Sequence, residues 1–245
     1  MAFGDGRVFF VGKSVVANQT PPPSTTDTAL VAILEGSNWT SVNLPAKELN
    51  SIWGSSSTDV WIGGDNGRLF HFDGSNWTQS TVYDNVSISS LTGFPPSQIN
   101  ALAYRLDQMP YDSIVTFIFQ NDGSGWYVQD SLVQNTFPPN HAFGISDIWS
   151  LDNATLFSVG YGVFKKGGGQ WAKVFDDGTL FAGIRGTGSD NIFAVGSGIY
   201  QDDGKWSKVN VAIDPSISIV SVWSDGKEVF AVGTDGTLSY VFHRK

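Results

Sequence analysis

The sequence predicts an all-β chain, a six-bladed β-propeller of four-stranded antiparallel blades, and three observations carry that expectation. One degenerate unit of roughly 35 to 49 residues recurs along the whole chain. A Trp follows a glycine-containing turn at the same place in most copies. Composition disfavours helix: three Glu stand against twenty Asp, with 28 Gly and 10 Pro, and Asp is a turn residue where Glu is a helix former.

The clearest unit runs from Leu49 to Ser80. Within it LNSIWG, DVWIGG, GRLFHFDG and NWTQST are short segments rich in β-branched and aromatic residues, and turn residues separate them. Gly and Asn tolerate positive φ and Asp bonds its own backbone two residues on, so the separators read as tight turns between strands A, B, C and D. Strand D opens on Trp39, Trp77, Trp126, Trp171 and Trp206; strand A recurs as NSIWG, SDIWS and VSVWS, with ISSLTG and AGIRG as weaker copies. Six B strands, RVFFVG, DVWIGG, INALAY, ATLFSVG, NIFAVG and EVFAVG, count six blades, with five as the alternative. The first unit keeps only a stub of strand A, because AFGDGRVFFVG aligns with VWSDGKEVFAVG, and the last unit stops before a strand D. No linker interrupts the repeats, so one domain is expected over residues 1–245.

Charge and composition exclude several roles. A formal charge of −9 and no basic run beyond Lys165-Lys166 before the last two residues argue against nucleic acid and anionic membranes as partners. No cysteine is present for disulfides, thiolate metal sites or a Cys nucleophile. No apolar run reaches the ~18 residues of a membrane span, and no signal peptide is visible.

Three connections are longer than the two- to four-residue turns elsewhere: the first B-to-C loop (Ser14 to Thr28), the third B-to-C loop (Arg105 to Ser113) and the third D-to-A connection (Gln129 to Ile145). In a blade meander the B-to-C turns and D-to-A connections share one face, so that face is the expected binding surface. Arg105, Asp107, Tyr111 and Asp112 in one expanded loop, with His141 in its neighbour, bring charge and an aromatic to it and are the ligand-binding candidates.

Catalytic chemistry finds little support. Glu35 and Glu228 flank turns, Glu48 lies in a connection, and nearly every Asp sits in a predicted tight turn. His71, His141 and His243 have no metal-ligand spacing, no Asp run has the spacing of a calcium loop, and no nucleophile elbow occurs. Neither metal, cofactor nor catalytic residue is expected. Trp53, Trp149 and Trp223 are expected to fill gaps between wedge-shaped blades, and the strand-D tryptophans to pack over the outer hairpin.

At FDGSNW and DDGKW the turn-Trp opening resembles the Asp-box of bacterial neuraminidase repeats, and the wider pattern of I-x-x-VW, VFAVG, Asp-Gly turn and G-x-x-W resembles the tectonin-type repeat of six-bladed lectins. The tectonin likeness implies glycan binding by loops or by grooves between blades. The neuraminidase likeness would imply an arginine triad and a Tyr/Glu nucleophile pair; the five arginines, Arg7, Arg68, Arg105, Arg185 and Arg244, are scattered, and no such pair matches. The resulting expectation is a non-enzymatic recognition module that binds a glycan through loops on one face, of bacterial or phage type and extracellular or at the cell surface. The alternatives are a protein-interaction or structural propeller of a larger surface protein, and a sialidase-like glycoside hydrolase. An exposed apolar patch or an unpaired outer strand at Val241-Phe242 would favour the protein-interaction reading.

Overall fold

The computed structural model describes residues 1–18, 24–94, 98–107, 113–134 and 146–245, and the side chains of all of these except 14–18, 24–28, 107 and 134. Among them there is no helix; every regular element is a strand. Backbone contacts divide the chain into two compact units, Met1–Ser131 and Leu132–Lys245.

In the first unit, β1 (Val8–Asn18), β2 (Ser24–Glu35) and β3 (Asn38–Leu44) form one antiparallel sheet. The second sheet is β4 (Leu49–Ser56), β5 (Asp59–Gly64), β6 (Arg68–Phe72) and β7 (Trp77–Thr81). The third is β8 (Ser87–Phe94), β9 (Gln98–Asp107), β10 (Ser113–Asn121) and β11 (Trp126–Gln134), whose last residues pass into the second unit. In that unit β12 (Asp147–Ser150), β13 (Leu156–Gly167) and β14 (Gln170–Leu180) form the fourth sheet. β15 (Gly183–Gly188), β16 (Asn191–Val195), β17 (Ile199–Asp202) and β18 (Trp206–Lys208) form the fifth, and β19 (Ser218–Ser224), β20 (Val229–Thr234) and β21 (Ser239–Arg244) the sixth.

Six consecutive antiparallel meanders bear out the six blades expected, with four strands in the second, third and fifth and three in the others. The first keeps only a stub of strand A, where Ala2 bridges Val8 and the Phe9 N–H donates to the Met1 carbonyl at 2.8 Å, and the last has no strand D among the described residues, as the repeat alignment anticipates. In the fourth, the expected B and C strands run together as β13, because only Tyr161-Gly162 separates the two strand-forming runs. Its first part pairs with β12 and its second with β14, and a break in register falls at Gly162, whose φ of 118° is open only to glycine.

Burial on both faces of the sheets explains why they stack as blades. Successive side chains of a strand point to opposite faces. Thus β16 sends Ile192 and Ala194 to the core shared with the fourth sheet, and Phe193 and Val195 to the core shared with the sixth. Within the first unit one cluster joins Phe9 and Val31 to Ile62 and Phe70, and the next joins Leu69 to Ile88, Ala101 and Phe119.

Within each unit an aromatic ring lies over a glycine of the next strand A. A Cβ on Gly93 would come within 2.6 Å of the Trp53 ring, one on Gly186 within 2.8 Å of Trp149, and one on Gly54 within 2.7 Å of Phe3. Phe3 occupies the place that the alignment of AFGDGRVFFVG with VWSDGKEVFAVG gives to a Trp. Trp223, by contrast, is largely exposed and only flanks Phe230 on its own sheet.

Strands run into all three expanded connections, whose remaining residues, 19–23, 108–112 and 135–145, lie outside the described residues. Ser14 to Asn18 pair with Ser24 to Thr28, extending β1 and β2 into a long ribbon, because the Val-Val-Ala and Thr-Thr runs flanking the proline tract are themselves strand formers. Likewise Arg105 to Asp107 belong to β9, paired with Ser113 to Val115, and β11 continues to Gln134.

Candidate functional site

In the first unit the connection from β3 to β4, the turn from β5 to β6, the connection from β7 to β8 and the end of β9 converge on one groove. It has a volume of about 750 Å3 and is walled by Lys47, Glu48, Asp65, Asn66, Asn85 and Tyr104 with Arg105. A second recess of about 870 Å3 continues along Tyr83, Asp84 and Leu106, and shares Arg105. The B-to-C turn and the D-to-A connections thus lie together here.

Hydrogen bonds of backbone and side chains hold these walls. The Lys47 N–H donates to Asp65 Oδ1 at 2.9 Å, and Arg68 Nη1 to Asp65 Oδ2 at 3.0 Å. On the other side the Asn85 N–H donates to Asn66 Oδ1 at 2.8 Å, the Gly67 N–H to the Val86 carbonyl at 2.7 Å, and the Val82 N–H to the Gly67 carbonyl at 3.0 Å. Gly67 makes this possible. Its φ is 66°, and a Cβ there would lie 1.9 Å from the Tyr83 carbonyl oxygen.

Arg105 projects from β9 over two rings, its guanidinium carbon 5.7 Å from the centroid of Tyr83 and 5.6 Å from that of Phe117, which stack on each other at 5.4 Å. Such cation–π contacts help to hold the guanidinium in place. Around it Tyr83 is 45% exposed, Tyr104 39% and Leu106 65%, so two phenol rings and an apolar side chain face solvent beside the arginine.

Of the five residues proposed from sequence, Arg105 is placed in this groove. The backbone of Asp107 ends β9, and its side chain lies outside the described set. Tyr111, Asp112 and His141 lie outside the described residues. Tyr83, Tyr104, Leu106 and Lys47 were missed. Their signal is positional: they sit at D-to-A connections and strand ends next to the B-to-C turns already identified.

The carboxylates elsewhere are occupied as turn caps. Asp73 accepts from the Ser75 and Asn76 N–H groups at 2.8 and 2.7 Å, Asp225 from Lys227 and Glu228 at 2.9 and 2.8 Å, and Asp235 from Thr237 and Leu238 at 2.8 and 2.7 Å. These backbone hydrogen bonds hold the three carboxyls below the ordinary aspartate range. Asp59 is also structural: it accepts from Ser55 Oγ and from Trp61 Nε1 at 3.2 Å, and lies 2.8 Å from His71 Nε2, whose ring stacks on Trp61 at 4.1 Å.

The five arginines have separate local engagements. Arg7 pairs with Glu35, Arg68 with Asp65, Arg185 with Asp147, Arg105 covers Tyr83, and Arg244 donates to Gln201. Among the described residues no group of three His, Asp or Glu side chains is placed to share a metal ion. No helix is long and apolar enough to cross a membrane.

Consecutive antiparallel meanders with cores between their faces define a β-propeller. No protein-family model matches the sequence, and no curated protein matches it. Among solved structures the chain is similar to the acylaminoacyl peptidase of Pyrococcus horikoshii, with a TM-score of 0.65 and 13% identity over 98% of this chain and 43% of that one. It therefore spans less than half the length of that peptidase. It is also similar to the WD40 β-propeller domain of Doa1 (TM-score 0.49, 12% identity, 96% of this chain and 90% of that one). A third similar structure is YCF48 bound to D1 peptide (TM-score 0.42, 12% identity, 86% and 87%). At identities this low the likeness is one of fold.

Proposed function

We propose that this chain is a non-enzymatic recognition module that binds a protein partner through the groove around Arg105. The observation that carries the reading is the side-chain set there. Tyr83, Tyr104 and Leu106 stand exposed around an arginine, on walls fixed by backbone and side-chain hydrogen bonds. Tyrosine and arginine are enriched among the residues that dominate the energetics of protein interfaces, tyrosine because it buries much area at little entropic cost and arginine because its planar fork makes several directed hydrogen bonds, and a pre-ordered wall spares the ordering cost of binding. Charges of both signs, Lys47, Glu48 and Asp84, suit a polypeptide with mixed side chains better than a neutral ligand.

A second reading is glycan binding, supported by the exposed faces of Tyr83 and Tyr104 beside the planar amides of Asn66 and Asn85. Panning a displayed peptide library and a glycan array on the purified chain separates the two. The protein reading expects selected peptides whose binding falls roughly tenfold or more in Arg105→Ala and Tyr104→Ala. Sugar hits lost in Tyr83→Ala would replace it with the glycan reading. Ligands of either class that bind these variants unchanged would remove the groove from consideration.

A further inference from the structure

A groove of about 480 Å3 opens between the fourth and fifth sheets. Phe157 of β13, Phe175 of β14 and Trp206 of β18 give it aromatic walls, with the rings of Phe175 and Trp206 stacked at 5.7 Å. Lys165 of β13, Asp202 of β17 and Lys205 of the turn after it supply the charged part of the lining.

The second and third sheets show what the repeat places in the corresponding position. Trp61 and Phe157 are equivalent, in DVW and TLF, and so are His71 and Lys165, each following a buried Phe in LFHF and VFKK. In the earlier copy the His71 ring lies flat on Trp61 at 4.1 Å, and Trp126 of the next sheet meets Trp61 edge-on at 5.7 Å. In the later copy a phenyl replaces the indole and a lysine chain replaces the imidazole. Over Phe157 there stands the Lys165 ammonium, 5.5 Å from the ring centroid, instead of a second flat ring.

The charges select the ligand. Lys165 and Lys205 are both exposed, and neither has a carboxylate partner among the described residues, whereas Lys13 pairs with Glu48 and Lys173 with Asp176. In a chain of net charge −9, two unpaired ammonium groups beside one aromatic wall favour an anion with a ring. Asp202 accepts from the Gly204 N–H at 3.1 Å through Oδ1, which leaves Oδ2 to accept from a donor on the same ligand.

We propose that this groove binds a small aromatic carboxylate whose ring carries an N–H or O–H donor. The ring lies against Phe157 and Trp206, the carboxylate meets Lys165 and Lys205, and Asp202 accepts from the ring donor. Apolar walls with a few polar groups at defined places are the make-up of small-molecule sites. The site is independent of the Arg105 groove.

The probe is indoleacetate, titrated into the intact protein by calorimetry beside tryptophol, its uncharged alcohol analogue, and naphthaleneacetate, which lacks the N–H. One indoleacetate per chain is expected to bind with a Kd below about 1 mM. Tryptophol and naphthaleneacetate are each expected to bind roughly tenfold more weakly. Lys165→Gln and Lys205→Gln are each expected to weaken indoleacetate roughly threefold or more. Lys208→Gln removes the same charge outside the groove, and Tyr83→Ala alters the Arg105 groove; both are expected to leave the affinity unchanged. All four side chains are exposed, so these variants fold. Absence of binding up to about 10 mM indoleacetate overturns the proposal, as does equal affinity for either analogue. Binding weakened by Lys208→Gln or Tyr83→Ala as much as by Lys165→Gln and Lys205→Gln overturns it equally.

Discussion

Gly67→Ala tests whether the Arg105 groove is held as described. The residue has φ 66°, and an added Cβ would lie 1.9 Å from the Tyr83 carbonyl oxygen, 2.9 Å from its carbon and 3.0 Å from its nitrogen. All three contacts are backbone, so no rotamer change relieves them. The left-handed conformation alone costs about 1 kcal/mol with a Cβ present. Clearing the contact moves the β7–β8 connection by roughly 1 Å or more, which sacrifices the hydrogen bonds from Gly67 to Val86 and from Val82 to Gly67 at about 1 kcal/mol each. The sum is about 3 kcal/mol. For a domain of this size it lowers the melting temperature by roughly 6 to 12 °C in scanning calorimetry. Gly36→Ala is the control, since Gly36 has φ 61° but nothing within 4 Å of its Cβ position; it is expected to lose only about 1 kcal/mol, or roughly 2 to 4 °C. Equal losses in the two variants would refute the steric account and, with it, the rigidity assigned to the groove.

Four further outcomes follow from the same contacts. Phe70→Ala, at a side chain 1% exposed between the first two sheets, is expected to cost about 3 to 5 kcal/mol by denaturant titration, and a cost under about 1 kcal/mol would contradict its place in the core. Trp53→Ala is expected to cost about 2 to 3 kcal/mol, because the half-buried indole fills the space over Gly93. Asp59→Ala leaves Trp61 Nε1 and His71 without their acceptor and is expected to cost about 1 to 2 kcal/mol, while Asp59→Asn retains most of that; equal losses in both would contradict hydrogen bonding as the cause. The carboxyls of Asp73, Asp225 and Asp235 lie below the ordinary value near 3.8 in the folded chain, so their contribution is complete above about pH 4 and disappears as pH falls further. The melting temperature is therefore expected to drop below pH 4, and to drop less steeply when all three are replaced by Ala.

Much of the blade was legible because its signals are short-range. Trp77, Trp126 and Trp206 each begin a strand, as the repeat requires, and the Asp-Gly turns before them close through side-chain caps two or three residues long. Even the substitution of Phe3 for a strand-A Trp was visible in the alignment, although the glycine it covers was not. The pairing of Ser14–Asn18 with Ser24–Thr28 was misread as loop because a proline tract outweighed the strand formers on either side. In the fourth sheet the two runs inside β13 were separated on paper by a single Tyr-Gly step, too short to fix a turn.

Sequence by itself determined the class of fold: alternation with period two, turn chemistry at fixed offsets and a recurring Trp are properties of a few adjacent residues. Tertiary structure alone decided that Arg105 rests on Tyr83, 22 residues earlier, and that Lys47 meets Asp65 across two different connections. It also decided that Lys165 and Lys205 border one groove. These meetings depend on how neighbouring sheets stack, and stacking is set by the summed volumes of side chains on facing strands, a quantity that no local pattern encodes.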